Sequence, residues 1–139
     1  MTETHRKLIK EWADTWSAPS KQDFLDVFAE HCIYEDVAAG KVLIGKLELG
    51  DFFDLIRKAL PDFKVIDDSI KLGGFGGVIQ WHMTGTHLGE LFGNAPTEKS
   101  ILIRGVCVIK IESDKITECT DYYNMATLYS QLGFKSDEY

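Results

Sequence analysis

The sequence predicts an α+β fold, with N-terminal helices laid across one face of an antiparallel sheet. Three observations carry this expectation. Apolar residues recur at helical spacing through the first 60 positions. From Phe63 onward they follow long strand-like runs instead. Helical segments come first and strands later, which is the segregated order of α+β chains rather than the alternation of α/β ones.

Leu8, Ile9, Trp12, Ala13 and Trp16 stand three or four residues apart. They form one apolar stripe on a helix of about four turns, which Pro19 ends. Ser20 followed by Asp23 resembles a capping box and opens a short helix that turns Phe24, Val27 and Phe28 inward. Residues 32–37, CIYEDV, read as a strand, with a turn over 38–41. A third helix over 47–60 buries Phe52, Phe53, Ile56 and Leu60, and Pro61 stops it. Strand 63–72 closes on GGFGG at 73–77. A glycine cluster of this kind cradles phosphate only where a helix follows, and here a strand follows, so a hairpin turn is expected. Further strands cover 78–88, 99–112 and 116–125, the last two joined by a tight turn at 113–115. Residues 126–132 close the chain with one or two helical turns.

The 139 residues suit one domain with a proper core. An apolar content of 45% and a charged content of 27% exclude disordered and membrane-spanning classes. The net charge of −7 disfavours nucleic acid and anionic membranes as partners. The start, MTETHRKLIKEW, has no apolar run after its charges, so neither a secretion signal nor an anchor is expected. Cys32, Cys107 and Cys119 are odd in number and share no CxxC spacing, which points to reduced thiols and a cytoplasmic setting.

Strand periodicity sorts the polar residues by face. His82 and His87 are five apart, so they lie on opposite sides of the sheet and share no metal. Val78, Gln80, His82 and Thr84 occupy one face of their strand, and Ile79, Trp81 and Met83 the other. In strand 99–112 both faces are largely apolar. One must pack on the helices, and the other is expected to meet a second copy of the chain in a homodimer. On the last strand Cys119, Asp121 and Tyr123 share a face. An aspartate in mid-strand runs against propensity, and facing inward it costs desolvation unless it is hydrogen-bonded or neutral. Periodicity alone leaves open whether Asp121 faces a site or solvent.

The segments PDF (61–63), QWHMTGTHLGELFGNAPT (80–97), RGVCVIKIESDKI (104–116), DYYN (121–124) and the closing QLGF (131–134) resemble the SnoaL-like polyketide cyclases. That family belongs to the nuclear-transport-factor-2-like, or cystatin-like, superfamily. The resemblance implies a cone in which helices pack across a strongly curved sheet and enclose a mostly apolar pocket. It also implies an intramolecular aldol cyclisation of a small apolar carbonyl compound, with no metal and no cofactor. The aspartate that serves such cyclases as general acid/base matches Asp121. The limonene-epoxide-hydrolase type is a second resemblance. Its water-holding Tyr-x-Asn falls on Tyr34 and Asp36, and its Arg-x-Asp on Gln80 and His82. This implies that Gln80 and His82 face the pocket, with His82 assisting Asp121, and that Ile79, Trp81 and Met83 face outward to a dimer partner. Gln-x-His in place of Arg-x-Asp argues against epoxide hydrolysis. Ile103, Gly105 and Cys107 are expected to line the pocket from the sheet and Trp16 from the helix side. Cys107, standing where the cyclases carry a histidine, would be an inert buried thiol. Gly105 would leave room for a ligand or mark a bend. Isomerisation or dehydration would use the same groups, and the alternatives outside enzymology are a non-catalytic binding pocket and a structural dimer module whose pocket is filled by its own aromatic side chains.

Overall fold

The computed structural model describes residues 2–134. Its elements run α1 (Thr2–Trp16), α2 (Lys21–Asp26), β1 (Phe28–Asp36), β2 (Lys41–Ile44), α3 (Gly45–Ala59), β3 (Lys64–Gly73), β4 (Gly76–Thr86), β5 (Ser100–Glu112), β6 (Lys115–Tyr123) and α4 (Met125–Gln131). The α+β class is as the sequence predicts, and so is the order of elements except for β2, which the sequence reading lacks. The strands form one open sheet in the order β2-β1-β6-β5-β4-β3. It is mixed rather than antiparallel, because β1 lies parallel to β6. The chain leaves β1, makes a long excursion through α3 and β3–β5, and returns in the same direction, as a parallel pairing requires.

Each helix ends for a local reason. Ser20 accepts the Asp23 N–H at 3.2 Å and caps α2. Asn124 accepts the Thr127 N–H at 3.0 Å and caps α4. The Arg57 guanidinium donates to the carbonyls of Trp16 and Phe63 at 3.1 and 3.0 Å and to that of Pro61 at 3.1 Å. One side chain thus ties the ends of α1 and α3 to the turn entering β3. The GGFGG segment is a hairpin turn, with Gly73 paired to Gly76. Ser113 and Asp114 turn β5 into β6 with φ of 51° and 61°, the left-handed pair that matches the twist of a two-residue hairpin. Register shifts between Asp67 and Ser69 in β3, between Lys110 and Ile111 in β5, and between Phe28 and Ile33 in β1 mark the bulges that bend a sheet around a core.

Pairing fixes which residues share a face, since partners across a ladder point the same way. Asp121 pairs with Cys107, Cys107 with Ile79, and Gly105 with both Tyr123 and Trp81. The inner face of β4 is therefore Ile79, Trp81 and Met83, at 0%, 3% and 8% exposure. These three residues belong to the chain's own core and present nothing to a partner. Gln80 and His82 lie on the outer face, where His82 Nδ1 meets the Asp68 carboxylate at 2.8 Å. This reverses the expected assignment of β4. The odd-numbered positions of β4 are the more apolar set, and burial of apolar area decides the face. Among the described residues no helix is long and apolar enough to cross a membrane.

Candidate active site

Between the helix layer and the inner sheet face lies a small cavity of about 50 Å³. Trp12 and Trp16 from α1, Phe52 and Ile56 from α3, and Trp81 and Met83 from β4 make most of its wall apolar. Four polar residues interrupt that wall: Tyr34, Asp36, Asp121 and Tyr123.

These four come from two adjacent strands and form a crossed arrangement. Tyr34 and Asp36 stand two apart on β1, and Asp121 and Tyr123 two apart on β6, so each pair shares a face. Asp36 and Asp121 are direct partners in the parallel register. The Tyr34 hydroxyl donates to Asp121 Oδ2, while the Tyr123 hydroxyl donates to Asp36 Oδ2 at 2.9 Å. Asp36 Oδ1 accepts the Ala39 N–H at 2.9 Å, which holds the turn leading into β2. The Trp16 indole N–H donates to the Tyr34 hydroxyl oxygen at 3.2 Å. A chain of donors therefore runs from α1 through β1 to the carboxylate on β6.

The two carboxyl groups differ in what remains free. Both oxygens of Asp36 are engaged. Asp121 is 7% exposed; its Oδ1 has no N–H or O–H partner, and the neighbouring Cys107 thiol is a weak donor to the carboxyl group. Burial pushes the Asp121 carboxyl up to about 7, against the Tyr34 hydrogen bond, which lowers it; neighbouring Asp36 raises it further. Near neutral pH such a group is divided between acid and base forms. Burial also raises Asp36, countered by the Ala39 and Tyr123 donors. Burial lifts the Tyr34 phenol well above its ordinary value, so it stays a donor. The Cys107 thiol is likewise pushed well up by burial and stays protonated.

The structure thus brings together Asp121, Tyr34, Asp36 and Trp16. His82, Gln80, Ile103 and Gly105 stand outside this group, whereas Cys107 stands beside Asp121 as its ladder partner. His82 and Gln80 are on the far side of the sheet. Ile103 and Cys107 are buried on the inner face of β5 and do not line the cavity, but the Cys107 thiol interacts with the Asp121 carboxyl group and lowers its pKa against burial. Gly105 leaves its room to a protein side chain: a Cβ there would stand 2.5 Å from the indole edge of Trp81 and 2.8 Å from the Tyr122 carbonyl oxygen. Among the described residues no cluster of three or more His, Cys, Asp or Glu side chains is arranged to hold a metal. Tyr123 and Trp81 went unnoticed as wall residues although both were legible, Tyr123 by its period-two spacing from Asp121 and Trp81 by the apolar alternation of β4. Leu91 and Phe92 reach the cavity from the 87–99 loop, for which periodicity gives no signal.

The family profile described as SnoaL-like polyketide cyclase matches residues 6–132. No curated protein matches the sequence. Among solved structures, a protein of Jannaschia sp. CCS1 named as a SnoaL-like polyketide cyclase superposes with a TM-score of 0.87 at 11% identity, over 96% of this chain and 94% of its own. A protein of Catenulispora acidiphila DSM 44928 with a ketosteroid isomerase-like fold, solved with trimethylamine, gives 0.83 at 18% identity over 94% and 95%. AclR of Streptomyces galilaeus, named as a hydroxylase, gives 0.84 at 20% identity over 99% and 85%. At these identities the structural likeness speaks for the fold alone.

Proposed function

The chain belongs to the SnoaL-like polyketide cyclase family, and from that premise we propose that it is an acid/base enzyme closing a ring in a small apolar carbonyl compound by intramolecular aldol addition. The observation that carries this reading is Asp121. It is a buried carboxyl group on the wall of an apolar cavity, with one oxygen held by Tyr34, the other without an N–H or O–H partner, and a pKa pushed up by burial to about 7. Asp121 Oδ1 takes a proton from the carbon next to a carbonyl, and the electron pair of that C–H bond passes to the carbonyl oxygen. The enolate carbon then bonds to a second carbonyl carbon of the same molecule. The alkoxide so formed takes back the proton from Asp121, which returns to its carboxylate form. Both proton transfers involve one group, which needs a pKa near the working pH. Tyr34 keeps its own proton and orients the carboxylate.

The small volume of the cavity supports a second reading, isomerisation. Moving one proton between carbons needs Asp121 alone and no second carbonyl folded onto the first, so it makes less demand on space. The two readings share a test. Small aryl ketones and polyketones are incubated with the protein in D₂O, and NMR follows exchange of the α-C–H and any ring closure or double-bond shift. Wild type should accelerate exchange, and Asp121→Asn should lose roughly 10²–10⁴-fold of it. Equal rates with wild type and Asp121→Asn would refute both readings.

A further inference from the structure

Proton removal from carbon needs a partner for the charge that develops on the carbonyl oxygen. In the cavity wall most hydrogen-bond donors are already engaged. The Tyr34 hydroxyl serves Asp121, the Tyr123 hydroxyl serves Asp36, and the Trp16 indole serves Tyr34. Two donors are not. The Nε1 atoms of Trp12 and Trp81 are buried without any hydrogen-bond partner, on side chains whose residues are 1% and 3% exposed. Among the described residues the other partnerless buried side-chain atoms are His87 Nε2 and Asp121 Oδ1 itself. Three of these four orphaned atoms therefore belong to residues lining one cavity: two neutral N–H donors and one carboxylate oxygen.

Leaving two indole N–H groups dry and unpaired costs the folded chain stability. A guest carrying acceptor oxygens would satisfy both. The donors approach from different layers, Trp12 from α1 and Trp81 from β4. Trp81 is held in place by its indole edge lying over Gly105, the position where any Cβ would collide with it, and by the Tyr123 ring, 6.1 Å away between centroids. Such fixed, water-excluded donors are what stabilise an oxyanion.

We infer that Trp12 and Trp81 are the oxygen-binding residues of this site, their indole N–H groups holding the carbonyl oxygen of a ketone whose neighbouring C–H faces Asp121. The inference rests on the acid/base reading above and assigns its electrophilic half. When Asp121 removes the α-proton, the C–H electron pair becomes the enolate double bond and the carbonyl oxygen takes the negative charge. The indoles keep their protons, so the enolate is stabilised without being protonated and stays nucleophilic.

The test uses the three tryptophans of the chain, Trp12, Trp16 and Trp81, which give three indole N–H signals in a ¹⁵N–¹H spectrum of the intact protein. Assignment uses Trp12→Phe and Trp81→Phe, or through-space contacts in wild type should either variant fail to fold. On titration with 1-indanone the Trp12 and Trp81 signals are expected to move downfield, while indane, the same frame without the oxygen, leaves them in place. Signals that stay still at the highest soluble 1-indanone, or that respond equally to indane, overturn the inference. A parallel measurement of 1-indanone α-C–H exchange in D₂O separates it from the acid/base reading. Trp12→Phe and Trp81→Phe are each expected to slow exchange by roughly 10²-fold with the pH of half-maximal rate unchanged, because Asp121 keeps its surroundings of Tyr34 and Asp36. Exchange that depends on Asp121 while both indole signals stay still would leave that reading standing and sink this one. Indole shifts without exchange would do the reverse.

Discussion

Asp121 is the residue on which the rest turns, and its environment sets opposing influences that substitutions can separate. Burial raises its pKa, and the Tyr34 hydroxyl lowers it. Tyr34→Phe removes that donor and leaves the ring in place. The pKa should move above about 7, and activity at pH 7 should fall by up to about tenfold, the change that one pKa unit brings; a carboxyl-carbon titration of the variant reads this directly. His82 offers the opposite expectation. It sits on the outer face with Asp68, so His82→Ala should leave turnover within about twofold and stability within about 0.5 kcal/mol, as for other surface changes. A thermal melt beside the exchange assay checks both. The aspartate stood out in the sequence as a charged residue in mid-strand, but its assignment to the pocket came from the family resemblance, since periodicity left its face open. His82 and Gln80 were misplaced because a motif carried over from a distant relative outweighed the plain alternation of Ile79, Trp81 and Met83.

Elements carry the site by register. A one-residue slip of β6 against β5 would turn Asp121 out of the cavity. The turn at Ser113 and Asp114, together with the bulge at Lys110 and Ile111, sets the register that pairs Cys107 with Asp121. Gly105 is a point where this packing is tight. Gly105→Ala would drive a Cβ to 2.5 Å from Trp81 and 2.8 Å from a backbone oxygen. Overpacking of that kind costs about 1–3 kcal/mol, so the melting temperature should fall by several degrees and the Trp81 indole signal should shift. An unchanged melt would mean that Trp81 is free to move. Most elements were readable from periodicity and from Pro19, Pro61 and the glycine hairpin. Strand β2 was not. Its four residues, KVLI, are too few to establish an alternation, and they flow directly into α3 without a side-chain cap. The parallel pairing of β1 with β6 was also beyond local pattern, since the two strands are joined through most of the chain.

At the scale of the whole molecule, a buried carboxyl group of raised pKa couples folding to pH. Asp121 holds its proton in the folded chain up to about 7, whereas in the unfolded chain it loses it near the ordinary value of about 3.9. Between these limits the folded state binds more protons, so Asp121's contribution to stability is complete below about 4 and is lost as pH rises toward 7. The loss amounts to about 4 kcal/mol at most, three pKa units at about 1.4 kcal/mol each. Asp121→Asn removes it, so denaturant melts should show the variant gaining on wild type from pH 5 to pH 8; parallel curves would deny the coupling. A protein that keeps such a group gives up stability at working pH to hold a proton poised beside an apolar cavity, the trade expected of an active site. The most direct test of this account is a carboxyl-carbon NMR titration of the wild-type protein, with the Asp121 signal assigned by its absence in Asp121→Asn. The account predicts a midpoint near 7. A midpoint at or below 4 would mean that Asp121 is an ordinary hydrogen-bonded carboxylate with no proton to give, and the acid/base function would fall with it.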